Sequence, residues 1–79
     1  MIPLYGFLQG DTIGLLILAQ PEDTIEALAE KLQASAAVRV KPRQRVSVIY
    51  NQRVLDPLAT VARVGLTALD RFDVVPERT

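Results

Sequence analysis

Glu22-Asp23-Thr24-Ile25-Glu26-Ala27-Leu28-Ala29-Glu30-Lys31-Leu32 decides the fold, because it is the one stretch of this chain with the pattern of a long helix. Ile25, Leu28, Ala29, Leu32 and Ala36 recur at the i, i+3, i+4, i+7 spacing that gathers apolar side chains into a single stripe. Glu26, Glu30, Lys31 and Gln33 fall to the other side. Asp23 or Thr24 is placed to accept a hydrogen bond from a free amide of the first turn, and with Asp23 as cap Glu26 takes the capping-box position. Acid at this end also suits the helix dipole. The stripe needs a surface to lie on, and the flanking sequence supplies it.

Upstream, Ile2 to Leu8 and Thr12 to Ala19 are β-prone runs separated by Gln9-Gly10-Asp11, where Gly10 provides the positive φ of a hairpin turn. Pro3 has no amide to donate, so it belongs at the start of its strand or on an edge. Gly14 marks a bulge or a close approach of another group, and Pro21 ends the second run. Downstream, the helix closes in Ala34-Ser35-Ala36-Ala37, and Val38 to Pro42 forms a crossover. Val46, Val48 and Tyr50 then alternate with Arg45, Ser47 and Ile49, the period-2 signature of a strand with one face on a core. Asn51-Gln52 turns into a short strand from Arg53 to Leu55, which Asp56-Pro57 breaks. Thr60 to Gly65 reads as a short helical turn with a threonine cap and a glycine exit, and Phe72 to Val75 is a last strand stopped by Pro76.

Hairpin, helix, strand, short strand, short helix, strand is the β-grasp order. The expectation is therefore an α+β fold, a mixed sheet of about five strands packed on one helix, with residues 1–79 forming a single domain. Its expected core is Tyr5, Phe7, Ile13, Leu15, Ile17, Ile25, Leu28, Leu32, Val48, Tyr50, Leu66, Leu69, Phe72 and Val74.

Composition narrows the function. A chain of 79 residues with 49% hydrophobic residues and no cysteine, histidine or tryptophan holds itself together by aliphatic packing, without disulfides or a zinc cluster. Neither a Glu-x-x-His pair nor a Ser-His or Cys-His nucleophile system is possible without histidine. Glu22, Asp23, Glu26 and Glu30 read as a solvated face, with an acidic metal site as the lesser alternative, and Ser35 and Ser47 have no base beside them. No catalytic, cofactor-binding or metal-binding residue is expected. The longest apolar run, Leu15 to Ala19, is far too short to span a bilayer, and nothing at the N-terminus resembles an export signal. A cytoplasmic protein with no membrane role is expected. Net charge is zero, yet between Lys31 and Asp56 there is no acid, while Arg39, Lys41, Arg43, Arg45 and Arg53 crowd that segment. With so little excess charge and no aromatic between Phe7 and Tyr50, nucleic acid is not the expected partner of this basic edge.

Two resemblances are carried by particular residues. Gly10, Thr12, Ile13 and Leu15, followed by Pro21 and Asp23-Thr24-Ile25-Glu26, resemble the opening hairpin and helix start of ubiquitin, and Thr60-Val61 to Leu66 is similar to its short helix. A closer resemblance runs through Ile2-Pro3, Glu22-Asp23 to Ala29-Glu30-Lys31, Arg39-Val40-Lys41-Pro42-Arg43, and Gly65-Leu66 to Asp73-Val74-Val75. Those segments resemble the protein B family of the toluene-4-monooxygenase system, the small γ subunit of multicomponent diiron aromatic hydroxylases. The resemblance implies a non-catalytic ubiquitin-like subunit that binds and stabilises a large α subunit, with the diiron centre in α. It also implies that Arg39, Lys41, Arg43 and Arg45 help dock the chain. Other readings are an independent bacterial ubiquitin-like adaptor and, less readily, a conjugated modifier or sulfur carrier. The latter needs a terminal Gly-Gly, where this sequence has Pro76-Glu77-Arg78-Thr79.

With the register the ubiquitin resemblance implies, Tyr5, Phe7, Ile13, Leu15 and Ile17 point to the helix. Leu4, Gly6, Leu8, Gly14, Leu16 and Leu18 then take the opposite face. A face open to solvent ought to be polar, and shifting the register by one residue only exchanges two apolar sets. The outer face of the hairpin is accordingly expected to be a protein interface, with Leu4, Leu8, Leu16 and Leu18 as contact residues, and to drive self-association of the isolated chain.

Overall fold

The computed structural model describes residues 1–77. Residues 78 and 79, the end of the expected 1–79 domain and of the Pro76 to Thr79 tail, lie outside the described residues. Strands β1 (Ile2–Leu8) and β2 (Gly14–Ala19) form the N-terminal hairpin, followed by helix α1 (Ile25–Ala36), strands β3 (Val46–Tyr50) and β4 (Arg53–Val54), the short helix α2 (Val61–Val64) and strand β5 (Arg71–Pro76). The five strands make one mixed sheet in the order β2-β1-β5-β3-β4, in which only β1 and β5 run parallel.

Each element starts where its chemistry allows. Gly10 adopts φ 99° in the hairpin turn, which the Asp11 amide closes by donating to the Leu8 carbonyl at 2.9 Å. Thr24, not Asp23, caps α1: its hydroxyl accepts from the Ala27 amide at 3.1 Å. Asp23 is occupied elsewhere, accepting from the Gln20 amide and from Lys31 Nζ, so Glu26 does not serve in a capping box. Two further amides of the first turn, Ile25 and Glu26, donate to the carbonyls of Ala59 and Pro57, so the 56–60 loop finishes the cap. Thr60 and Gly65 bound α2 as cap and left-handed exit. Asn51 and Gln52 both take positive φ between the paired Tyr50 and Arg53, the two-residue turn that suits strand twist.

The helical stripe holds as written: Ile25, Leu28, Ala29, Leu32 and Ala36 are buried. They pack on Leu4, Leu8, Ile17, Ala19, Val48, Phe72 and Val74 from the sheet, with Val61 and Leu66 closing one end. The parity of β1 is opposite to expectation. Leu4 and Leu8 are core residues, whereas Tyr5 is exposed and Phe7 half-buried. Pairing supplies the reason: Gly6 and Leu8 lie beside Phe72 and Val74 of β5, both fully buried, and neighbours across a ladder share a face. Tyr5 likewise follows its partner Leu16 outward. Gly6 is needed at that point, since a Cβ there would lie 2.8 Å from both Leu32 Cδ1 and Phe72 Cζ.

Three other core expectations are corrected. Ile13 precedes β2 and is exposed, and Leu69 is held outward at φ 67° in a turn closed by the Asp70 amide on the Thr67 carbonyl. Gln33, expected on the polar side of the helix, is only 7% exposed.

Candidate docking surfaces

The outer face of the sheet is built by strand parity. Leu16 and Leu18 are 55% and 50% exposed on β2, opposite Tyr5 and Pro3 of β1. The next row runs Gly14, Phe7, Asp73, Ile49 and Val54 across all five strands, and Val75 and Ser47 share the same face. Gly14 proves to be a close approach: a Cβ there would stand 2.5 Å from the Phe7 ring. Arg71 interrupts the apolar surface, its guanidinium 4.0 Å above the centre of the Phe7 ring and paired with Asp73 at 3.0 Å. What remains is an aliphatic and aromatic surface of Pro3, Tyr5, Leu16 and Leu18 on the hairpin. A second apolar area, Ile49, Val54 and Val75, lies beyond Arg71.

Of the expected contact residues, then, Leu16 and Leu18 are on the outer face, and Leu4 and Leu8 are not, because they fill the core beneath the helix. Tyr5 and Phe7 replace them. The available signal was the pairing of β1 with β5, which sequence alone did not reveal.

The basic segment divides as well. Arg39 is turned inward to the hairpin turn, donating from Nε and Nη2 to both oxygens of Asp11 at 3.0–3.1 Å. That pair holds the Asp11 carboxyl below its ordinary range, so its stabilisation is present above the ordinary carboxylate pKa and fades as pH falls through the depressed value. Lys41, Arg43 and Arg45 are exposed and have no ion-pair partner among the described residues. Their loop is nonetheless ordered by the buried Gln33, whose Nε2 donates to the Arg43 carbonyl at 3.0 Å while Oε1 accepts from the Arg43 amide at 2.7 Å.

The chemistry of the chain offers nothing to a metal. No histidine or cysteine is present, and among the described residues no three of His, Cys, Asp and Glu converge on one point. A diiron centre does not fit this donor set. Nor is any helix among the described residues long and apolar enough to cross a membrane.

A mixed five-stranded sheet clasping one long helix, with a capped short helix before the last strand, defines a ubiquitin-like β-grasp protein. Solved structures agree. Ubiquitin from Caldiarchaeum subterraneum is similar over 99% of this chain and 95% of its own, with a TM-score of 0.80 at 19% identity. A chain from a study of molecular mimicry of SUMO in DNA repair is similar over 94% of this chain and 89% of that one, with a TM-score of 0.77 at 20% identity. A chain of the toluene 4-monooxygenase complex with the inhibitor 4-bromobenzoate is 25% identical, with a TM-score of 0.87 over 96% of this chain and 98% of that chain. Comparison with curated proteins gave no match. The model of the toluene-4-monooxygenase system protein B family matches residues 1–75, and the chain belongs to that family.

Proposed function

We propose that this protein is the non-catalytic small (γ) subunit of a multicomponent diiron aromatic hydroxylase, and that it binds and stabilises the large α subunit. Family membership and the likeness to a chain of the toluene 4-monooxygenase complex support the assembly. The observation that carries docking is the apolar outer face of the hairpin, where Tyr5, Leu16 and Leu18 stand 43–55% exposed on adjacent strands. An exposed apolar surface on the order of a few hundred Å² on so small a chain marks a contact surface. Catalysis resides in the α subunit, whose diiron centre supplies oxygen activation; this chain contributes shape and contact area. Mixing the chain with purified α subunit is expected to give a stoichiometric complex on size-exclusion chromatography. Elution of two separate species would overturn the assignment.

The free cations Arg43 and Arg45 form a second, electrostatic part of this docking surface. Arg43→Glu plus Arg45→Glu is expected to weaken binding to the α subunit most at low salt and less at about 0.5 M salt, where the Debye length is only about 4 Å. Equal affinity of variant and wild type at both ionic strengths would reduce the loop to a solvated basic segment.

A further inference from the structure

We propose that the open edge of β3 at Val46 to Val48 is a separate docking site, one that accepts an extended partner segment bearing lysine or arginine by strand addition beside α1. The ladder geometry comes first. The Glu77 amide donates to the Arg45 carbonyl at 3.1 Å, so Arg45, Ser47 and Ile49 turn their backbone groups toward β5. Val46 and Val48 therefore turn theirs the other way. On that side β4 reaches only Ile49 and Tyr50, and the Leu55 amide takes the Val48 carbonyl at 2.9 Å. Among the described residues, nothing bonds the Val46 amide, the Val46 carbonyl or the Val48 amide.

These groups open on a groove of about 420 Å³ between β3 and α1. Its floor is apolar, from Ile25, Ala29, Val48 and Leu55, and Glu26 and Glu30 form the helical wall. Glu77 lines the strand side, with Arg45 as the one cation. The charge of this rim selects the occupant. Asp11, Asp23 and Asp73 each have an ion-pair partner, whereas Glu26, Glu30 and Glu77 are exposed and have none among the described residues. A lysine or arginine fits both parts of the groove, its aliphatic stem on the apolar floor and its charged head at Glu26 or Glu30. The opposite edge of the sheet contrasts with this one: at β2, Lys31 Nζ covers the Leu18 carbonyl at 3.1 Å, the kind of lysine guard that keeps an edge from pairing. The β3 edge has no such guard, and backbone pairing plus alternate side-chain pockets is the physics of strand addition.

The test is a titration of isotope-labelled full chain with the peptide acetyl-Val-Lys-Val-Lys-Val-amide at millimolar concentration, followed by amide NMR. Shifts are expected at Val46, Val48 and the Glu26 to Glu30 segment, with slowed exchange of the Val46 amide. The analogue with glutamate for lysine is expected to bind at least about tenfold more weakly, as is the peptide to the Glu26→Lys plus Glu30→Lys variant. Val46→Pro removes an amide that no described residue uses, a position where an edge strand tolerates proline, and is expected to abolish the shifts while the remaining spectrum stays folded. No shift at Val46 and Val48, equal binding of the two peptides, or shifts confined to Tyr5, Leu16 and Leu18 would each overturn the proposal. None of these outcomes bears on the outer-face assembly.

Discussion

Leu28→Ala is expected to lower the unfolding free energy by about 2–5 kcal/mol, among the largest losses any single substitution in this chain can cause. Leu28 has no solvent exposure and lies at the centre of the α1 stripe, between Ile25 and Leu32, against the sheet. Removing its isobutyl group leaves a cavity that neighbours on both sides cannot close, because the helix is tied at its start to the 56–60 loop. A chain this short has a total stability of about 4–12 kcal/mol, so the variant is left near the limit of folding. Urea denaturation with an unchanged m-value measures the loss. Glu26→Ala on the exposed side of the same helix serves as control, with a change within about 0.5 kcal/mol. A loss below about 1 kcal/mol at Leu28 would mean that the buried stripe is not the one assigned.

That stripe was legible because one face of α1 is apolar and the other charged, so periodicity alone assigned the inside. The hairpin offered no such contrast. Leu4, Gly6 and Leu8 alternate with Pro3, Tyr5 and Phe7, and either set is apolar enough for a core. The deciding contact is long-range: β5 pairs in parallel with β1 and brings Phe72 and Val74 beside Gly6 and Leu8. Gly6 did carry a clue, since only a residue without a side chain fits under Leu32 and Phe72. Gln33 misled for a related reason. Its amide is buried to hold the Arg43 backbone, a contact ten residues away that helical periodicity does not express.

The basic segment shows the same division between composition and placement. Its charge was evident from the run without acid between Lys31 and Asp56, but which cations remain free is decided in three dimensions. Asp11, in the hairpin turn, claims Arg39 and leaves Lys41, Arg43 and Arg45 outward. The groove beside β3 was invisible in sequence because it arises from a mismatch in strand length: β3 spans Val46–Tyr50, and β4 only Arg53–Val54.

Leu16→Lys plus Leu18→Lys is expected to leave the fold intact and to abolish assembly with the large subunit. The two leucines project from the edge strand β2 on the side away from the helix, and neither belongs to the buried core. Lysine is well tolerated on an exposed edge strand, so the urea midpoint should stay close to that of the wild type. In a complex the outcome differs. Two ammonium groups would have to be desolvated against an apolar partner surface without compensating carboxylates, a cost well beyond the lost packing. With each position contributing more than about 1–2 kcal/mol as an anchor of the contact, affinity should fall by more than about a hundredfold. The prediction holds for either parity of β1, because Leu16 and Leu18 face outward in the pairing observed and Tyr5 and Pro3 stand beside them. Size-exclusion chromatography with the α subunit, read beside circular dichroism of the variant alone, separates loss of contact from loss of fold. Normal complex formation by a folded double variant would show that the outer face of the hairpin is not the interface.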